Sequence, residues 1–225
     1  MSDFSNPVLA FDSALAGCTV AVLKGGEAHV RVLETSREQA AKLMPMVQDV
    51  MAEAKVAFAD LGLIVTTVGP GSFTGLRISL SAARSLGLAL DLPVQGVGTF
   101  EIMARSAVPE RQPCIVVLET KRTDYYVQVF DADKSPQSDP VCMEEDELRT
   151  MIAQRVGYIL CGDALGRLGT EGRALMLPDP EILARAGLAQ FIANGMKAER
   201  PEPVYLRGAD VSLSTKPQRI IADRP

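Results

Sequence analysis

Residues 69–77, Gly-Pro-Gly-Ser-Phe-Thr-Gly-Leu-Arg, are the part of the sequence whose residue types and spacing most suggest chemistry. The glycines fix a tight backbone path after an apolar run, and Ser72 or Thr74 can cap a following helix. Free N–H groups at the start of that helix, with Arg77 in its first turn, favour an anion. The loop is not a Walker A motif, because no lysine follows Gly75. An anion contact and a rigid strand-to-helix corner braced by the arginine are both open interpretations. The residues of the anion or nucleotide contact are Gly69, Gly71, Ser72, Thr74 and Arg77.

Asp12 ends the first apolar run of the chain, before a turn of small residues that leads into a second apolar run. A carboxylate in this position can hold a hydrated Mg²⁺ while backbone N–H groups meet phosphate oxygens, which adds Asp12 to the candidate anion site. The alternative, and the commoner role, is a turn-forming aspartate that bonds its own backbone.

The chain contains one histidine, His29, and this count excludes every site that needs two or three imidazoles. Its four cysteines form no CxxC pair, which argues against a zinc ribbon or a redox dithiol. Ser72 lacks the GxSxG spacing of a hydrolase nucleophile. We therefore predict no catalytic residue and no resident metal.

The composition bounds the class of protein. With 225 residues, 47% of them hydrophobic, the chain can form one large domain or two intimate lobes. A net charge of -5 does not favour nucleic acid or an anionic membrane as an independent partner. The chain lacks a secretory leader pattern and any long uncharged apolar stretch, so we expect a cytoplasmic protein with reduced thiols.

Hydrophobic periodicity predicts an α/β protein. Apolar, β-branched runs indicate strands at 8–11, 18–23, 28–33, 63–68, 93–97, 114–118, 125–130 and 158–161. Three- and four-residue spacing indicates helices that begin at a Ser36–Gln39 capping box, at Thr99 and at Glu145, or that cover 76–90 and 180–194. Pro45 falls inside the first helix and predicts a kink or a later start. A polar, proline-bearing stretch at 109–113 divides the chain into a first lobe, 1–108 completed by 204–225, and a smaller second lobe, 109–203.

Two of these helices have seams suited to packing against another helix. The first seam is apolar and bears methionines, and the second carries small side chains that permit close approach. The residues are Leu43, Met44, Val47, Val50 and Met51 on the first helix, and Gly75, Ser79, Ala82, Ala83 and Leu86 on the second. Core packing explains one seam, and two seams together favour a partner interface.

The block at 69–78, the strand ending at Asp12 and the Pro-Val-Tyr-Leu-Arg segment at 203–207 together resemble the bacterial TsaB family, also called YeaZ. The resemblance covers residues 8–207. It implies an α/β, two-lobed actin/hexokinase-like fold (ASKHA, ribonuclease H-like) with mixed sheets flanked by helices. It also implies a non-catalytic paralogue of TsaD. The two proteins together install threonylcarbamoyl on the adenosine beside the anticodon of tRNAs that read codons beginning with A.

The resemblance further implies the partners of this chain. TsaD would pack against the two helices described above, the ATPase TsaE would join the complex, and the isolated chain would form a homodimer through the same surface. Contact with tRNA would occur through the complex and no membrane is involved. No cofactor is firmly implied, and ATP or ADP with Mg²⁺ is expected, if at all, at the level of the complex.

The sequence departs from its relatives at two places. Many relatives carry a His-Ser-Glu-like triplet where this chain has Gln39, Ala40 and Ala41, so no role of that triplet transfers. Relatives often have an Asp-Ala-Arg segment where this chain has Glu-Thr-Lys-Arg at 119–122, which weakens a nucleotide site between the lobes. Two rival functions remain: a small phosphotransferase using Asp12 and the 69–77 loop, and, least favoured, a metallopeptidase.

Overall fold

The computed structural model describes residues 4–35, 37–107 and 111–207, and within them every predicted strand and helix is present. The strands are β1 Val8–Asp12, β2 Gly17–Lys24, β3 Glu27–Glu34, β4 Leu63–Gly69, β5 Val94–Gly98, β6 Cys114–Glu119, β7 Tyr125–Phe130, β8 Val141–Met143, β9 Ile159–Gly162 and β10 Arg173–Ala174. The helices are α1 Gln39–Glu53, α2 Phe73–Leu90, α3 Thr99–Ala107, α4 Glu145–Gln154, α5 Leu165–Leu168 and α6 Pro180–Ala193.

Helix α1 runs continuously through Pro45, which is exposed. The alternative prediction, that the helix begins near Pro45, is therefore wrong. Ser36 of the predicted capping box lies outside the described residues. Among the residues that the structure describes, no helix is both long and apolar enough to cross a bilayer.

The two lobes repeat one sheet topology. The first sheet has the strand order β3-β2-β1-β4-β5 and the second has the order β8-β7-β6-β9-β10. In each sheet three strands form an antiparallel meander. A fourth strand pairs in parallel with the first strand of that meander, and a fifth pairs in parallel with the fourth. This arrangement places the carboxyl ends of β1, β4, β6 and β9 at the boundary between the lobes, which is where loops can form a site.

Helices cover the first sheet on both faces. Leu9 and Phe11 belong to the cluster that packs on α1, whereas Val8 and Ala10 belong to the cluster that packs on α6. Every residue of β1 is buried as a result. A strand buried on both faces reads as a continuous apolar run, which explains why the sequence predicted β1, β2 and β4.

Helix α6 corrects the predicted lobe boundary. We assigned 109–203 to the second lobe, but Leu183, Ala184 and Phe191 lie in the core of the first sheet, and α6 contacts β1, β2 and β4. The second lobe therefore ends before α6. Residues 208–225 of the predicted return to the first lobe lie outside the described residues, as do 108–110 of the predicted boundary.

Helix α3 lies between the two sheets. Its residues Phe100 and Met103 pack with Cys114 and Val116 of β6, while Ile102 packs with the first sheet. Helices α4 and α5 cover the outer face of the second sheet. A shared helix between two sheets joins the lobes through an apolar core.

Candidate functional site

The 69–77 loop docks onto the turn between β1 and β2. The Ser72 N–H donates to the carbonyl of Ala14 at 2.7 Å, and the Ser13 hydroxyl donates to the carbonyl of Gly75 at 2.8 Å. Ser72 also caps α2, since its Oγ accepts from the Gly75 N–H at 3.3 Å. The predicted cap is confirmed, and the hydrogen bonds form the rigid corner that was one of the two interpretations of this loop.

Two glycines of the loop permit this close docking. A Cβ on Gly75 would lie 2.0 Å from the Ser13 carbonyl oxygen, and a Cβ on Gly71 would lie 2.6 Å from the Ala14 carbonyl oxygen. Both distances are far inside van der Waals contact, and the opposing atoms belong to the backbone, which cannot swing away. The spacing of these glycines therefore serves the contact between α2 and the β1–β2 turn.

Asp12 is a buried turn-former. Its Oδ1 accepts from the Ala14 N–H at 3.0 Å and from the Thr67 hydroxyl, and its Oδ2 has no hydrogen-bond partner among the described residues. Burial raises the pKa of Asp12 to about 6, although the hydrogen bonds from Thr67 and Ala14 lower it. The side chain is 0% exposed, so it meets no solvent-borne metal or phosphate in this conformation. The Mg²⁺-phosphate interpretation of Asp12 is not supported.

Gln39, at the start of α1, holds the same turn from the other side. Its Nε2 lies within hydrogen-bond distance of three carbonyl oxygens: Leu15 at 2.6 Å, and Ser13 and Gly17 at 3.3 Å each. The side chain is buried. In the sequence Gln39 is only a departure from the relatives, and this role is not visible there because the acceptors are backbone atoms.

The structure does not bring the remaining candidate anion-binding residues together at one place. Gly71, Ser72 and Arg77 line a cavity between the lobes, whereas Thr74 is exposed and Gly69 lines a smaller cavity beside α3. The Arg77 guanidinium stacks 3.6 Å above the Phe73 ring. Its Nε donates to the Tyr205 hydroxyl at 3.4 Å. Arg77 thus connects the 69–77 loop with the 203–207 segment.

Most of the predicted interface residues are core residues. The buried ones are Leu43, Val47, Val50, Met51, Gly75, Ser79 and Ala83. The half-buried ones are Met44, Ala82 and Leu86, which pack at the rim of the same core. The interface prediction is corrected for the buried set, because the seams mark the sides of α1 and α2 that face the chain's own sheet.

The outward side of α2 is poor in charge. Ser81, Ser85, Leu88 and Ala89 are exposed, and Leu88 is 87% exposed. The two charged residues of this 18-residue helix are arginines, one of which is Arg84, held by the Pro201 carbonyl at 3.1 Å. An uncharged helix side beside half-buried apolar residues is typical of protein interfaces, where charged residues are depleted.

Comparisons with known proteins agree with this architecture. Residues 33–156 match the family model described as "TsaD: tRNA N6-adenosine threonylcarbamoyltransferase". The chain is 28% identical over 218 residues to the tRNA threonylcarbamoyladenosine biosynthesis protein TsaB of Escherichia coli (strain K12), covering 89% of this chain and 94% of the relative. It is 33% identical over 212 residues to an uncharacterized protein of Mycobacterium tuberculosis, covering 90% and 92% respectively.

Solved structures show the same fold. YeaZ from Pseudomonas aeruginosa superposes with a TM-score of 0.74 and 26% identity, covering 89% of this chain and 100% of that one. The crystal structure of an uncharacterized protein with similarity to peptidase YeaZ from Pseudomonas aeruginosa superposes with a TM-score of 0.79 and 26% identity, over 90% of this chain and 100% of that one. The predicted two-lobed actin/hexokinase-like fold is confirmed.

Proposed function

The chain belongs to the TsaB/YeaZ family of tRNA threonylcarbamoyladenosine biosynthesis proteins, and from this membership we propose that it is a non-catalytic scaffold and activator subunit. Its complex transfers threonylcarbamoyl to the adenosine beside the anticodon of tRNAs that read codons beginning with A. A TsaD-type subunit holds the catalytic centre, and a TsaE-type ATPase joins the assembly. The complex works in the cytoplasm.

The observation that carries this proposal is the charge-poor outer side of α2, beside the half-buried Met44 of α1. A TsaD-type partner, which shares the family of this chain, can lay its own equivalent helices on such a surface. Ser81 and Ser85 are small enough for close helix approach, and Leu88 offers an exposed apolar anchor. When the partner is absent, a second copy of this chain pairs through the same surface.

The proposal of a non-catalytic role is supported by the sequence. The single histidine, His29, is on β3, so the chain cannot supply a pair of imidazoles to a metal. Asp12 is sealed under the β1–β2 turn, which removes the support for the phosphotransferase alternative. A net charge of -5 favours tRNA binding mainly through the partner subunits.

Reconstitution tests the proposal. Purified TsaD and TsaE subunits from the same organism, with tRNA, threonine, bicarbonate, ATP and the enzyme that forms threonylcarbamoyl-adenylate, are assayed with and without this chain. We expect modification to require the chain and a TsaD complex to co-purify with it. Full modification in its absence, or no complex on size-exclusion chromatography, contradicts the proposal.

Charge insertion locates the interface. Ser81→Arg and Ser85→Arg place charges on the exposed side of α2, and burying an unpaired charge at an interface is strongly unfavourable. We expect both variants to fold, with the melting temperature of the native chain, and to lose the complex. Ala153→Arg, at an exposed position on α4 of the other lobe, is the matched control and keeps the complex. Retention of the complex by both serine variants would exclude this face.

A further inference from the structure

Two of the three segments that carry the family resemblance, 69–78 and 203–207, converge on one cavity of about 640 Å³ between the lobes. Residues 71–73 and Arg77 of the first segment form one wall, and residues 204–207 of the second form another. The 119–122 turn and Asp163 of the second lobe line the cavity from the other side, and residues 14–16 of the β1–β2 turn line it from the first lobe. This volume falls within the usual range for small-molecule sites. The proposed partner surface on α1 and α2 makes no use of this cavity.

The 201–207 segment holds the cavity in shape. Its Pro201 carbonyl accepts from Arg84 of α2 at 3.1 Å, and the Val204 N–H donates to the Val68 carbonyl at 2.7 Å. At its far end Arg207 pairs with Asp124, a buried carboxylate of the second lobe. The segment therefore crosses from one lobe to the other and forms a wall of the cavity without needing a ligand to order it.

Aromatic side chains gather around this cavity with large exposed areas. Phe73 is 48% exposed and Tyr205 is 41% exposed, and their ring centroids lie 5.4 Å apart with an interplanar angle of 40°. Tyr126 lines the cavity from the second lobe. Exposed aromatic side chains clustered in a concavity mark binding sites, and their flat faces suit a flat ring.

The charge in the lining is mainly positive. Within 4–35, 37–107 and 111–207, Arg77 forms no ion pair, and Lys121 projects from the turn that borders the cavity. Of the carboxylates, Glu119 pairs with Arg167 at 2.7 Å. Asp163 accepts from the Glu119 N–H at 2.9 Å, and its pKa is raised by burial to about 6 although Lys121 lowers it. Arg77 and Lys121 are therefore cations of the lining that form no ion pair within the described residues, and an anion in the cavity can meet them.

We propose that this cavity binds a small aromatic anion, a flat ring system that carries a carboxylate or a phosphate group. The ring stacks among Phe73, Tyr126 and Tyr205, and the anionic group meets Arg77 and Lys121. A site of this kind differs from a magnesium-triphosphate site, since Asp12 is sealed away from the cavity. The proposal stands on residues outside the partner surface and is independent of the proposed function.

Isothermal titration of the isolated full chain tests the site. The probes are 2-naphthoate, an aromatic carboxylate, and adenosine 5′-monophosphate, an aromatic phosphate, with the neutral 2-naphthalenemethanol as the charge control. Lys121→Gln and Arg77→Gln remove the two cations. The matched control is Lys55→Gln, because Lys55 is also an exposed lysine at positive φ, 51° against 60° for Lys121, and lies outside the cavity.

We expect at least one anionic probe to bind and to bind on the order of tenfold more weakly to each cavity variant, since each variant loses one charge-assisted hydrogen bond. Lys55→Gln and the native chain bind alike, and the neutral probe binds more weakly than 2-naphthoate. Binding of one anion but not the other identifies the carboxylate or the phosphate as the group that the cavity recognises. The proposal is overturned if neither anion binds at millimolar concentration, if both cavity variants bind like the native chain, or if the neutral probe matches the acid.

Discussion

Substitution of Gly75 by alanine tests how tightly α2 docks on the β1–β2 turn. The added methyl group would lie 2.0 Å from the Ser13 carbonyl oxygen, against an ordinary contact of about 3.4 Å or more. The obstacle is a backbone atom held by β1, and Gly75 lies in the first turn of a long helix, so neither side yields easily. The clash is relieved only when α2 and the β1–β2 turn move apart.

The magnitude follows from three contributions. Overpacking of a tight contact costs about 1 to 3 kcal/mol. Separation also breaks the 2.8 Å hydrogen bond from Ser13 to the Gly75 carbonyl, worth about 1 kcal/mol. Alanine restricts the unfolded chain and returns about 0.5 to 1 kcal/mol. The free energy of unfolding should fall by about 1 to 3.5 kcal/mol, which lowers the melting temperature by about 2 to 14 °C at this chain length.

The assay is thermal unfolding followed by circular dichroism, with urea unfolding as a check. The matched control is Gly166→Ala in α5, where a Cβ meets no atom within 4 Å and no positive φ opposes it. We expect the control to melt at or slightly above the temperature of the native chain. A Gly75→Ala variant that melts like its control would refute the claim that this glycine is required by close approach.

Three further predictions concern groups near the lobe boundary. The pKa of Asp12 is about 6 in the folded chain and 3.8 in the unfolded chain, so the folded state binds more protons between these pH values and the free energy of unfolding falls as pH rises from about 4 to 6. Asp12→Asn should flatten this part of the pH profile of stability measured by urea unfolding. An unchanged slope would contradict the argument that burial raises the pKa of Asp12. Gln39→Glu replaces a donor that faces three carbonyl oxygens by an acceptor, so the free energy of unfolding measured in urea should fall by about 2 to 4 kcal/mol. Gln39→Met should lower it by less. Equal decreases in the two variants would refute the role of the donor. Arg207→Met leaves the buried Asp124 carboxylate without its ion pair and should lower the free energy of unfolding by about 1 to 3 kcal/mol, reduced by the partial exposure of the arginine. It should also speed limited cleavage by chymotrypsin after the exposed Tyr205, and a native cleavage rate would show that the segment is held without this pair.

The sequence predicted the strands well where both faces are buried. The run from Leu63 to Val68 contains only apolar or β-branched residues, because helices lie above and below the sheet, and such a continuous run indicates a buried strand. The short β8, α5 and β10 were not predicted. Elements of two to four residues have no period of their own, and pairing with a neighbouring strand or packing on the second sheet decides their conformation.

The sequence predicted only part of the site, and there is a physical reason for this. Periodicity shows which side of a helix is apolar, but it does not show whether the chain's own sheet or another protein covers that side. Val47 and Ala83 fit both interpretations, and the structure places them in the core. The contact of Phe73 with Tyr205 joins residues far apart in the chain, and no local sequence pattern predicts such a contact.

The position of α6 has a consequence for the order in which the protein is made. Strand β1 leaves the ribosome early, yet one of its faces stays uncovered until α6 has emerged, near the end of synthesis. The second lobe, lying between them in the chain, can close first. Nascent chains that stop before α6 therefore present Val8, Ala10 and Val65 as an open apolar sheet. A shortened chain ending there should aggregate although it contains all ten strands that the structure describes.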